Sequence, residues 1–131
     1  MGERQTIDGY LAAARDRIER LTPEDAQRAM AEGALLVDTR CGDDRQRVGT
    51  IPGSVHVPLS VLFWRLDPSS GYDDPALSDL ARPVMLICAH GYSSSLAAAT
   101  RRDLGYGRAG DVIGGFEAWS AAGLPVLVEG G

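Results

Sequence analysis

Residues 87–95 read ICAHGYSSS, and Cys88 stands where an apolar run gives way to small and polar residues. A cysteine at such a junction suits thiolate chemistry. An ordinary thiol with a pKa of about 8.5 is only about 3% ionised at pH 7, and a fall of about two units raises that to about 75%. The backbone N–H groups of a loop curled around the sulfur, Ala89, His90, Gly91, Tyr92, Ser93 and Ser94, make an anion-binding nest, with Gly91 relieving the tightest point. A helix starting just after the loop adds its positive end. Ser93 and Ser94 are placed to cap that helix and can also donate to an anion. The competing reading is a buried structural cysteine before an ordinary strand-to-helix turn.

Other side chains carry weaker signals. His90 is the only loop side chain able to become cationic. Arg65, in LFWRLDP, is a candidate to reach across and bind an oxyanion, since the loop lacks its own arginine. Its alternative is a solvated helix position beside a core Trp64. His56 reads as a satisfied strand-end residue, Cys41 as an incidental thiol, and Phe116 and Trp119 as core.

The elements needed to hold the cysteine follow from periodicity and punctuation. Residues 8–21 carry a helical repeat through Leu11, Arg15, Ile18 and Leu21. A second helix opens at Thr22 and Pro23, with Glu24 and Asp25 at its positive end and Gly33 closing it. ALLVDT (34–39) reads as a buried strand and 40–54 as loop. VHVP (55–58) reads as a short strand, 59–67 as helical, and 68–83 as turns around one short helix. VMLIC (84–88) is the strongest core strand, followed by a helix over 93–105, a strand in AGDVIGG and a last helix from Phe116, with Gly114 and Gly115 turning into it. Strands alternating with helices predict an α/β domain: a central, mostly parallel sheet with helices on both faces. In such sheets, ligands sit where strand carboxyl ends meet helix amino ends.

The 131 residues fit one domain, and thirteen basic against eighteen acidic side chains give a net charge of −5. That balance argues against nucleic-acid or anionic-membrane partners. Two cysteines are too few for a disulfide scaffold, and no paired CxxC spacing announces zinc. The opening residues lack the apolar stretch of a secretory signal, and no apolar run approaches the ~20 residues that span a bilayer. The expectation is a cytoplasmic protein with reduced thiols, no metal and no cofactor.

Three ordered motifs resemble those of a single rhodanese-like domain: VDTR with GTIPGSVHVP, the cysteine loop with Gly91 and Ser94, and GGFEAWSAAGLPV. The likeness assigns 22–131 to that domain, with a five-stranded sheet, and leaves 1–21 as an N-terminal helical extension. It implies a sulfurtransferase in which Cys88 attacks a donor such as thiosulfate, holds the sulfane sulfur as a persulfide, and passes it to a thiol or cyanide acceptor, small or on a protein. The loop amides would stabilise developing charge in both halves. Asp38 and Arg40 match the family's strand end and read as an ion pair bracing the loops. The chain departs from the family's pattern at Ala89 and Ser93, where thiosulfate-using members commonly carry Arg or Lys, and at Thr50, where histidine is usual.

Three other readings stay open. A non-enzymatic sulfur-carrying or partner-binding module keeps the cysteine without turnover of small donors. A cysteine phosphatase or arsenate reductase needs an arginine closing a Cys-x5-Arg loop, yet the first arginine after Cys88 is Arg101. A Cys–His–Asp hydrolase would use Cys88, His56 or His90, and Asp38, with a histidine aimed at the sulfur.

Overall fold

Four parallel crossovers build the sheet that carries the cysteine. The structure, a computed structural model, describes residues 4–128; the ends of the two expected segments, 1–3 and 129–131, lie outside the described residues. In chain order the elements are α1 (Ile7–Arg15), β1 (Glu19–Leu21), α2 (Pro23–Ala31), β2 (Leu35–Asp38), α3 (Gly42–Val48), β3 (Val55–His56), a 3-10 turn (Leu59–Val61) running into α4 (Leu62–Leu66), β4 (Val84–Ile87), α5 (Ser93–Asp103), β5 (Ala109–Val112) and α6 (Gly115–Ala121). Strand order is β1-β5-β4-β2-β3, every pair parallel. The parallel sheet expected from the alternation is present, with the five strands that the resemblance implies.

Side-chain alternation along the strands divides the core in two. Leu35, Val37, Val84 and Leu86 face Leu62 and Leu66 of α4 and Ala97 and Ala98 of α5. Leu36, Met85, Ile87 and Val112 face Ala26 of α2 and Phe116 and Trp119 of α6. Both faces are covered, which is why β2 and β4 read as unbroken apolar runs. α2 forms as its sequence dictates: the Thr22 side chain accepts from the Asp25 amide, and Pro23 opens the helix.

Three expectations are corrected. The helix read over 8–21 ends at Arg15, and Glu19–Leu21 pairs with Gly110–Val112 as an edge strand. Tertiary pairing overrides the local repeat here: Gly110 has no Cβ, and one would sit 2.8 Å from the Glu19 carbonyl oxygen. The stretch 40–54 is not all loop, because Gly42–Val48 forms α3. That helix buries no residue and is supported by Asp43 and Asp44 in its first turn and an Arg47–Asp44 pair at 2.8 Å. Conversely, 68–83 contains no helix. Asp67, Asp74 and Asp79 each accept from a backbone amide two residues on, which favours turns over helix.

Candidate active site

β4 ends at Ile87, so Cys88 is the first residue beyond the sheet, and α5 begins five residues later. The cysteine is 6% exposed. Its sulfur accepts the Gly91 N–H at 3.1 Å and lies 3.3 Å from Ser94 Oγ. Gly91 has φ +85, and a Cβ there would stand 2.7 Å from the Gly114 nitrogen, so both its conformation and its surroundings demand glycine.

The loop carbonyls are drawn away from the sulfur. Those of Cys88 and Ala89 accept from the α6 amides of Phe116 and Glu117 at 2.8 and 3.1 Å. That of Gly91 accepts from Arg15 at 2.8 Å and Arg20 at 3.2 Å. Amides are thereby left to face inward, the arrangement that holds an anion. Burial pushes the Cys88 thiol up, but the Ser94 hydroxyl and amide, the Ser93 hydroxyl and the Gly91 amide outweigh it, and the net shift is below the ordinary 9.0.

The serines do something other than cap. The residue before α5 is Tyr92, and no side chain caps the helix. Ser94 and Ser95 instead turn inward to Asp111 Oδ2, at 2.8 and 2.7 Å. Asp111 is 0% exposed and is also held by Arg20 at 2.9 and 3.3 Å. Asp111, Ser95, Arg15 and Arg20 escaped the sequence reading. The available signal was a carboxylate inside the strand reading AGDVIG, since a buried charge demands partners.

Other sequence candidates are placed as follows. His90 is 63% exposed, with Nδ1 2.6 Å from Glu117 Oε2, and Tyr92 is exposed with the Arg15 guanidinium 5.6 Å from its ring. Beside the loop lies a cavity of about 560 Å³ lined by Arg40, Arg47, Ala89, His90, Phe116 and Glu117, among others. Arg40 pairs with Asp38 at 2.8 Å, donates to the Gly49 carbonyl at 2.8 Å and lies 3.9 Å over the Phe116 ring. Burial pushes the Asp38 carboxyl up, yet the Arg40 hydrogen bonds and the charges of Arg40 and Arg45 hold it below its usual 3.8.

Arg65 is not brought to the cysteine: it donates to the Tyr72 carbonyl at 3.0 Å and faces Asp74 at 3.7 Å. Its neighbour Trp64, expected in the core, is 55% exposed. His56 Nε2 lies 2.8 Å from the Arg40 carbonyl, and neither histidine is among the hydrogen-bond partners of the sulfur. Cys41 is an exposed free thiol at the start of α3, and Arg101 is buried over the Tyr106 ring at 3.8 Å.

The model of the family described as rhodanese-like domain matches residues 22–122. The chain belongs to that family. This rhodanese-like protein is 38% identical over 112 residues to the thiosulfate sulfurtransferase GlpE of Pseudomonas savastanoi pv. phaseolicola, covering 86% of this chain and 96% of that one. Among solved structures it superposes with a TM-score of 0.86 and 34% identity on a protein of unknown function from Rhodopseudomonas palustris, named a possible tyrosine phosphatase, over 96% of this chain and 100% of that one. A polysulfide-sulfur transferase homodimer from Wolinella succinogenes shares the fold, with a TM-score of 0.73 at 23% identity over 93% of this chain and 87% of that one. In the rhodanese-like chain itself, Ser94 stands where a Cys-x5-Arg loop would carry its arginine.

Proposed function

We propose that this rhodanese-like protein is a sulfurtransferase whose Cys88 carries the moving sulfur. The observation that supports the reading best is the sulfur at a strand-to-helix junction with the Gly91 amide at 3.1 Å and the Ser94 hydroxyl at 3.3 Å. The Cys88 thiolate attacks the outer sulfur of thiosulfate; a new S–S bond forms, the donor's S–S bond breaks, and sulfite leaves with that electron pair. The anion Cys88–S–S⁻ is then held by the amides of residues 89–94. An acceptor thiolate or cyanide attacks the terminal sulfur and returns the Cys88 thiolate. No general base is required, because the loop favours the thiolate at the outset.

The cavity beside the loop supplies room for the donor and for a thiol acceptor, small or on a protein surface. Asp38 and Arg40 brace its wall, while Arg65 has no part in this scheme. We place the cycle in the cytoplasm, a reducing setting in which both cysteines stay free thiols. Among the described residues, no helix is long and apolar enough to cross a membrane.

A phosphatase would bind a tetrahedral dianion and needs an arginine in the loop, whereas Arg101 is sequestered over Tyr106. The test is intact mass after incubation with thiosulfate. The expected product gains about 32 Da, one sulfur, at Cys88, reversibly with dithiothreitol. Absence of the adduct with thiosulfate and with a low-molecular-weight persulfide would instead favour a partner-binding module.

A further inference from the structure

Two different devices hold the loop carbonyls away from the sulfur. The first half of the loop hangs on the α6 amides, and the second half hangs on side chains. The Gly91 carbonyl accepts from Arg15 Nη2 at 2.8 Å and Arg20 Nη2 at 3.2 Å, while the Ser95 hydroxyl beside it gives its proton to Asp111. Arg15 ends α1 and Arg20 is the middle residue of β1. Both lie outside the residues, 22–122, that the family model matches.

The N–H and the C=O of Gly91 flank a single left-handed residue wedged against Gly114. Fixing its carbonyl on one side therefore fixes the direction of its amide on the other, and that amide is the one on the Cys88 sulfur. Charge acts in the same sense. Arg20 is matched by Asp111, whereas Arg15 has no carboxylate partner among the described residues. Two guanidinium groups against one carboxylate leave one positive charge behind a loop that has no Arg or Lys of its own.

We propose that Arg15 and Arg20 are positioning residues of the Cys88 site: gripping the Gly91 carbonyl from behind, they hold its amide on the sulfur and supply the positive charge that the loop side chains lack. This rests on the reading of Cys88 as the sulfur-carrying nucleophile. It makes α1 and β1 part of the site. Arg20 also neutralises the buried Asp111, so its removal endangers folding. Arg15 forms only the clamp, its bond to Ser95 at 3.2 Å and the stacking on Tyr92. It is the cleaner probe.

Other charged groups near Cys88 are Asp111 of β5 behind Ser94, the His90–Glu117 pair on the loop and α6, and Arg40 at the end of β2 over Phe116. Substituting Arg15 leaves all of them in place, so a change in the Cys88 titration reads the clamp itself. The experiment is the rate of iodoacetamide labelling of Cys88 against pH, followed by peptide mass, for the parent, Arg15→Ala, Arg15→Gln and Arg15→Lys. Calorimetry reports the fold of each, and sulfur loading from thiosulfate is measured in parallel.

Arg15→Ala is expected to raise the labelling midpoint by about half a pH unit or more, slowing labelling below the midpoint about threefold. Arg15→Lys recovers part of the loss, since charge returns without the planar fork. A folded Arg15→Ala with the parent's profile would overturn the proposal. Should Arg15→Ala fail to fold, Arg15→Gln, which keeps a donor and loses the charge, must still raise the midpoint, and a parental value overturns the proposal equally. Labelling needs no sulfur donor. A shifted midpoint in a protein that never loads sulfur would therefore sink the sulfurtransferase reading while the clamp stands.

Discussion

Ser94 Oγ stands 3.3 Å from the sulfur of Cys88, and the same oxygen is 2.8 Å from a carboxylate oxygen of Asp111. A hydroxyl has one proton to give and lone pairs to receive. While Cys88 is a thiol, Ser94 gives its proton to Asp111 and receives the S–H. With Cys88 as a thiolate, the same hydroxyl can turn to donate to sulfur, since Asp111 keeps Ser95 and Arg20. Ser94 thus trades one acceptor for another as the charge on sulfur comes and goes.

Ser94→Ala removes the donor and leaves Asp111 with its other partners. The labelling midpoint of Cys88 should rise by about one unit, and sulfur loading near pH 7 should slow about tenfold. Stopped alkylation followed by peptide mass gives the midpoint; an unchanged value would show that the amides alone set the thiol.

Asp111→Asn acts in the opposite direction on the sulfur. It removes a buried negative charge and frees the Ser94 proton, so the midpoint should fall. It also strips the mostly buried Arg20 of its counter-ion, at a cost of about 3–5 kcal/mol in urea unfolding. A variant as stable as the parent would mean that this pair contributes nothing to the fold.

Gly91→Ala forces a side chain into a left-handed conformation and against Gly114. The strain and the collision together should cost about 2 kcal/mol or more and displace the amide from the sulfur. Loss of sulfur loading should exceed what the fall in stability accounts for. Loading equal to the parent in a folded variant would exclude this amide from the site.

Acid stability reads the Asp38–Arg40 brace. Because the Asp38 carboxyl titrates below its ordinary 3.8 in the folded state, the stability it contributes is complete above that value and is lost as the pH falls through the folded value. Titration of Asp38 should leave urea midpoints independent of pH near neutrality and lower them below about pH 4. In Asp38→Asn the acid fall should be shallower; an identical slope would assign acid sensitivity to other carboxylates.

These residues show what the sequence made legible. The parallel sheet, the core strand before Cys88 and the helix after it were readable, because apolar runs and helical spacing report burial directly. The placement of Cys88 at a strand-to-helix junction followed from them. The capping read for Ser93 and Ser94 fails because capping is a local rule: Ser94 turns to Asp111 on a strand seventeen residues on, and the Ser93 hydroxyl acts on the Cys88 sulfur, as the anion-donor half of that reading expects. Arg15 was hidden in a helical repeat that looked self-sufficient. Arg20 was hidden by the same reading, since only pairing with β5 turns its segment into a strand. Arg65 drew interest for its charge alone, and its actual neighbours, Tyr72 and Asp74, lie in a turn-rich stretch with no periodic signal.

The claim beneath all of this is that folding alone, without an arginine in the loop, ionises one sulfur. Labelling of the unmodified protein with iodoacetamide across pH, resolved by peptide, tests it most directly. Cys88 should reach half its limiting rate below pH 9.0 and outpace the more exposed Cys41 at pH 7, despite its burial. A Cys88 that labels no faster than Cys41 at pH 7, and only as fast as burial allows at higher pH, would contradict the account.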